Sequence, residues 1–253
     1  LDVNKPVFQY PFSEDVFWFR LQIQNESLAN QNNWYLAWDD GLKEHVDVYV
    51  PQPNGSYQIQ RGGLLTPSSV KAYSGPFPLY RIGFLPPQKN TTIYVRIEDS
   101  EAISGTLTLY SHQAYIDEIP DKLAITWLVI GIQLLRVLYN IVLARYVKNT
   151  SFRWYSFHTV IVTLSVLGSF GIIGNALSDY PSIAGVANAA FYQLMPATYT
   201  LFIFSLLNVP KNYPKLRWLF LLIIAACIVQ VFSNFLVFFS YLFELNNYMF
   251  FVL

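Results

Sequence analysis

The chain has 253 residues, 53% of them apolar, and its 16 basic side chains match its 16 acidic ones. That balance hides two opposite halves: residues 1–121 carry 8 Lys and Arg against 14 Asp and Glu, and residues 122–253 carry 8 against 2. An acidic module joined to a basic, strongly apolar one is neither a soluble enzyme nor a nucleic-acid binder, and the lone Cys227 excludes a disulfide scaffold.

In the first half the hydrophobic period is two. Phe17, Phe19, Leu21 and Ile23 alternate with Trp18, Arg20, Gln22 and Gln24; Trp34, Leu36 and Trp38 alternate with Tyr35 and Ala37. Val46, Val48 and Val50 follow with Asp47 and Tyr49, then Ile93, Val95 and Ile97 with Tyr94, Arg96 and Glu98, and finally Leu107 and Leu109 with Thr106 and Thr108. Alternation of this kind predicts half-buried strands. Turn formers separate them: Asp39-Asp40-Gly41, Pro53-Asn54-Gly55, Arg61-Gly62-Gly63, Pro86-Pro87 and Ser104-Gly105. Residues 1–120 are therefore expected to form an all-β, jelly-roll-like sandwich.

From residue 121 onward the chain changes solvent. About 20 apolar residues cross a bilayer core as a helix, and four segments qualify: 123–143, 154–174, 186–207 and 216–239. A fifth begins at Tyr248, where the sequence reads as cut off. Residues 121–253 are thus expected to be a truncated α-helical transmembrane bundle. The loop after the first span carries Arg145, Lys148 and Arg153, and the loop after the third Lys211, Lys215 and Arg217. Positive loops stay in the cytoplasm, which puts the acidic N-terminal domain on the far side of a multi-pass membrane protein. Pro120, within residues 117–121, is expected to stiffen a short tether between sandwich and first helix. Gly168, Gly171 and Gly174 would share one face of the second helix, and Gly185 with Ala189 would form a second small-residue pair, both suited to helix packing.

Chemistry is thin by comparison. The sequence holds no nucleophile–base order, Walker loop or dinucleotide glycine pattern. Catalysis, metal binding and cofactors are therefore not expected, although the Asp39-Asp40-Gly41 turn has calcium-binding chemistry as well as turn chemistry. Aromatic and charged side chains on strands remain as a ligand face: Trp18 and Arg20 first, with Tyr49, Tyr80 and Arg96 beside them. Trp34 and Trp38 are expected inside. Within the membrane, Arg136 lies roughly 20 Å into the first span at about 1.5 Å per residue. It either snorkels toward the cytoplasmic headgroups or joins Asn140 and His158 in a polar cluster that couples helix positions.

The stretch Val16-Phe17-Trp18-Phe19-Arg20-Leu21-Gln22-Ile23-Gln24-Asn25 resembles the W-x-R-…-N strand that opens an extracellular sensor domain. Gly131 followed by Leu138-Tyr139-Asn140-Ile141-Val142-Leu143 is similar to a G-…-L-Y-N-…-L helix, and Arg145-Tyr146-Val147-Lys148-Asn149 with Tyr155 follows it. Phe202-Ile203-Phe204-Ser205-Leu206-Leu207 and Pro210 are similar to the end of a third helix. Taken in order, these motifs resemble the bacterial seven-transmembrane receptors with diverse intracellular signalling modules. Arg136 departs from that pattern, standing where an apolar residue is expected. The resemblance implies a carbohydrate-binding-like outer domain on the bacterial inner membrane, periplasmic or extracellular. It also implies a relay through the helices to a cytoplasmic kinase, cyclase or similar module, in cis or in trans. Expected partners are membrane lipid, a small-molecule or carbohydrate ligand and that output module, with homodimerisation left open. The alternative is a membrane-anchored carbohydrate-binding or adhesion protein that does not signal, for which one span would suffice.

Overall fold

A computed structural model describes residues 8–11, 15–26, 33–38, 41–73, 75, 78–100 and 102–250, with side chains from Tyr10 to Leu236. The Asp39-Asp40 part of the candidate calcium turn lies outside the described residues. Among those described, no group of carboxylates, histidines or cysteines is suited to hold a metal ion. Two compact units emerge: Leu1–Thr126 with Gly168–Gly185, and Trp127–Leu167 with Val186–Leu253.

Among its described residues the first unit holds nine strands: β1 Phe8–Tyr10, β2 Phe17–Gln24, β3 Trp34–Trp38, β4 His45–Pro51, β5 Tyr57–Gly62, β6 Leu79–Gly83, β7 Asn90–Glu98, β8 Ile103–Gly105 and β9 Leu107–Ser111. All pairings between them are antiparallel. The larger sheet runs β2-β7-β4-β5 and the smaller β6-β3-β9, while β1 and β8 form a two-stranded ribbon. Because successive side chains point to opposite faces, Val46, Val48, Ile93, Val95 and Ile97 all turn inward and are wholly buried. They meet Leu36, Trp38, Tyr80 and Ile82 from the other sheet in one core. This is the expected β-sandwich, and each such aliphatic side chain contributes about 1.5–3 kcal/mol by leaving water. Trp38 is fully buried and Trp34 packs against the core.

Two polar features close the sandwich. Gln60 on β5 donates to the carbonyl of Arg81 and accepts from its amide at 2.9 Å, tying the two sheets together at one edge. Inside, Lys43 pairs with Asp99 at 3.1 Å and donates to the Ala102 carbonyl at 2.9 Å, both side chains almost fully buried. Burying two charges is tolerable only because each meets the other and further polar groups.

No tether separates sandwich and helix. Strand β9 ends at Ser111 and α1, His112–Tyr146, starts at the next residue, carrying Pro120 inside it. The Ser111 hydroxyl accepts the Ala114 amide at the start of that helix. Then follow α2 Thr150–Ser169, α3 Ile172–Ala176, α4 Pro181–Leu206, α5 Val209–Asn212 and α6 Arg217–Phe250. Three helices among the described residues are long and apolar enough to cross a membrane: His112–Tyr146, Pro181–Leu206 and Arg217–Leu236. The second expected span, 154–174, differs in its limits: its helix covers 150–169 and stops where Gly171 adopts a left-handed φ of 67°. Gly168, Gly171 and Gly174 therefore do not share one helical face.

The helices of the second unit meet through small polar side chains. Ser151 bonds Ser205 at 3.0 Å, the Ser156 hydroxyl donates to the Asn140 carbonyl at 3.1 Å, and His158 Nδ1 lies 2.9 Å from the Thr198 hydroxyl. Thr159, Thr163 and Ser165 are buried with their hydroxyls bonded to carbonyls one turn earlier. Large apolar side chains such as Leu135 and Leu222, both 67% exposed, face outward.

Candidate functional site

The four-stranded sheet has one face on the core and one open face, and its register decides what stands together on the latter. Residues directly opposite each other in paired strands project to the same side. Trp18 pairs with Arg96, Arg96 with Asp47 and Asp47 with Arg61, so these four form a row across the sheet. The next row holds Arg20, Tyr94, Tyr49 and Ile59, and Glu98 opposite His45 lies on the other side of the first.

Within that face the Trp18 and Tyr49 rings lie 5.1 Å apart, and Tyr57 meets Tyr94 edge-on at 5.7 Å. Trp18 stays 55% exposed. An indole presented this far to water is a flat apolar surface held rigid by its strand. Beside it Arg96 is anchored by Asp47 at 3.5 Å and by a short hydrogen bond to Glu98. Of these groups, Arg96, Asp47 and Glu98 also line an open groove of about 270 Å³, beside which Trp18 stands in the same row without lining it. His45, Asp47, Arg96 and Glu98 line it from the sheet, Thr66, Pro67 and Val70 from the segment after β5, and Arg61 lies between. Lys71, at the end of that segment, has its pKa lowered by burial.

Of the expected ligand residues, Trp18, Arg20, Tyr49 and Arg96 thus share one face. Tyr80 does not. It is 1% exposed, and its hydroxyl donates to the Val46 carbonyl at 2.6 Å inside the core. Its phenol pKa is pushed well above the ordinary value by burial and, after that, by the charge of Asp47. Strand β6 alternates as the others do, and Tyr80 occupies an inward position beside the outward Arg81. Asp47, Arg61 and Glu98 join the groove without having been singled out. The polar phase of β4 and β7 was visible in the sequence, but the register that aligns them was not.

In the membrane unit, Arg136 is half-buried and Asn140 buried. His158 meets Thr198 and the Tyr199 ring, 5.4 Å between centroids. No hydrogen bond or ion pair among the described residues joins Arg136, Asn140 and His158 to one another, although the Arg136 charge lies near enough to act on the His158 ring.

Chemically, the open face offers stacking surface and charge-anchored hydrogen-bonding groups, which suits binding. The family described as 7TMR-DISM extracellular 2 matches residues 2–111. A second, described as 7TM diverse intracellular signalling, matches residues 122–253. No curated protein matches the chain. The sandwich is thus an extracellular sensor domain and the helices the membrane region of a signalling receptor: the chain belongs to the 7TM diverse intracellular signalling family.

Proposed function

We propose that the chain is the sensing part of a bacterial receptor whose jelly-roll-like sandwich takes a carbohydrate on the open face of β2-β7-β4-β5. Its helices would relay occupancy to a cytoplasmic output module, in cis or in trans, with no catalytic step in this part. The observation that carries the reading is Trp18, more than half exposed and 5.1 Å from Tyr49, standing in one row with Arg96, Asp47 and Arg61. Sugar rings have apolar C–H faces and hydroxyl rims. The aromatic pair suits the first, and the arginine and carboxylate groups, already held in place by one another, suit the second. Pre-ordering matters because each side chain immobilised on binding costs about 0.5–1.5 kcal/mol.

The topology proposed with it has four crossings, in the bacterial inner membrane. The basic loops after α1 and α4 support it. So does the segment between α2 and α4, which packs with the sandwich in one compact unit. With a cytoplasmic loop before α2 and a sandwich-side segment after it, α2, with its 20 residues, crosses as well.

Calorimetric titration of the full chain in lipid nanodiscs with cellohexaose and with hexagalacturonate tests the binding reading. One of them is expected to bind, and Trp18→Ala is expected to weaken it at least tenfold. Binding unchanged in Trp18→Ala, or heat from neither sugar, would sink the carbohydrate reading.

A further inference from the structure

Residues 63–71, which follow β5, form an arch pinned at both ends to the sheet. At its start the Leu64 and Leu65 amides donate to the carbonyls of Lys43 and Glu44 at 2.7 and 3.0 Å. The buried Thr66 hydroxyl donates to the Gly62 carbonyl at 2.7 Å. At its end the Ala72 amide donates to the Arg61 carbonyl at 2.7 Å. Gly63 permits the approach: its φ is +108°, and a Cβ there would stand 2.4 Å from the Glu44 carbonyl oxygen. Both ends of the arch are thus fixed to the sheet.

One side of it lines the groove, through Thr66, Pro67 and Val70. Its other contacts are with the segment between α2 and α4. The Ser68 amide donates to the Ser178 carbonyl at 3.1 Å, and the Ser68 hydroxyl donates to the Asp179 carboxylate. Leu64, itself buried, lies over Gly174, where a Cβ would come within 2.5 Å of its Cδ1. Leu65 lies over Gly185 less closely, at 3.0 Å from a Cβ there. The two glycines set aside as helix-packing residues in the sequence thus receive leucines of the sensor domain. The space left where Gly62, Gly63 and Leu64 meet Gly171, Gly174 and Asn175 is about 20 Å³, room for about one water molecule. The docked segment is itself tightly wound, with the Asn175 amide on the Gly171 carbonyl and the Tyr180 amide on the Leu177 carbonyl. Motion at Ser178 therefore reaches the start of α4 within a few residues.

We infer that the arch 63–71 is a shared wall between ligand groove and membrane helices: occupancy of the groove and docking of residues 171–185 are linked. This rests on the groove being the ligand site, and it gives the sensor a second hold on the helices besides α1. A ligand shifts the helices only by as much as its affinity differs between the two docking states. Linkage is reciprocal, so fixing the docked state must alter the affinity of the groove by the same factor.

The test uses the full chain in membrane vesicles with Cys227→Ser as background. Ser68→Cys with Asp179→Cys is oxidised, or bridged with a short bis-methanethiosulfonate, and then reduced. Bridging in most molecules is expected; failure by both routes overturns the docking. Cellohexaose and hexagalacturonate are titrated on the bridged and reduced forms, and an affinity change of at least fivefold that reduction reverses is expected. Equal affinities within twofold overturn the linkage. Should neither sugar bind either form, the carbohydrate reading fails but the wall is still tested by hydrogen exchange. Amides 66–71 are expected to exchange at least tenfold faster after reduction, with β7 unchanged. Identical exchange in the two forms overturns the proposal.

Discussion

The sandwich and the membrane helices are built by the same chain with opposite interiors. In the sandwich, Val46, Val48, Ile93, Val95 and Ile97 are wholly buried, and Arg20, Arg61 and Trp18 face water. In the helices the buried residues include Ser151, Ser156, Thr159, Thr163, Asn188 and Thr198 beside the apolar Ile130, Ile161 and Ala197, while Leu128, Leu135, Leu222 and Leu236 stand 64–70% exposed. The difference is one of solvent. Water expels apolar surface, so the sandwich gains by hiding it. Lipid tails are as apolar as leucine, so the helices gain from close approach of small residues and from hydrogen bonds. A side chain's worth therefore depends on which region holds it.

The largest expected effect lies where a charge is hidden. Asp99→Ala leaves the Lys43 ammonium buried without its partner, 3.1 Å away in the native chain, and should cost about 3–5 kcal/mol. Urea unfolding followed by near-ultraviolet dichroism of the sandwich measures it; a loss below about 1 kcal/mol would mean water reaches Lys43. No counterpart exists among the helices, since residues 127–167 and 186–253 contain one acidic side chain, Glu244.

Next comes the apolar comparison itself. Ile93→Ala empties a wholly buried position and should cost about 2–5 kcal/mol. Leu135→Ala removes a comparable volume from a side chain 67% exposed and should cost less than about 0.5 kcal/mol in bilayer. Thermal unfolding in nanodiscs separates the two. Equal losses would show that Leu135 faces protein in the membrane-embedded state.

A smaller effect is expected at Tyr80. Tyr80→Phe removes the 2.6 Å bond to the Val46 carbonyl and should cost about 0.5–1.5 kcal/mol, the net worth of one hydrogen bond. Its raised folded pKa gives the sign with pH. The stabilising contribution is full below about pH 10, the unfolded value, and is lost as pH rises through the folded one. The variant's stability should accordingly fall less steeply above pH 10 than that of the native chain. A parallel fall in both would show that the folded phenol ionises as freely as the unfolded one.

How much of this was legible depended on how local each feature is. The period-two runs at 17–24, 34–38, 46–50 and 93–97 all became strands, because alternation needs only the residue and the solvent on its two sides. Strand β5 hides its signal: Tyr57, Gln58 and Ile59 are all exposed at a sheet edge, so nothing alternates. Tyr80 and Trp18 carry the same aromatic signature in sequence and went to opposite sides, one hydrogen-bonded in the core and one on the open face. The second helix was overextended because Gly171 and Gly174 sit in an apolar run; only a left-handed φ at Gly171 and the leucine over Gly174 reveal a docked turn. Groove and arch depend on register and on contacts between residues more than 100 positions apart, such as Ser68 with Asp179. No window of sequence holds that information.

The smallest expected effect is the sharpest probe of the helices' interior. Thr159 is fully buried, yet its hydroxyl is bonded at 3.0 Å to the Tyr155 carbonyl of its own helix. That bond survives when helices separate, so it adds little to their association. Thr159→Val keeps the shape and removes the hydroxyl, and should cost no more than about 0.6 kcal/mol, the mean for hydrogen bonds within a bilayer. Ser156 differs, because its hydroxyl also reaches across to the Asn140 carbonyl on α1 at 3.1 Å. Ser156→Ala should therefore cost more than Thr159→Val, by up to about 1 kcal/mol. Steric-trapping measurements of unfolding in bilayer resolve such differences. If the two variants lose the same stability, burial of small side chains, rather than the bonds they make between helices, holds the membrane half together.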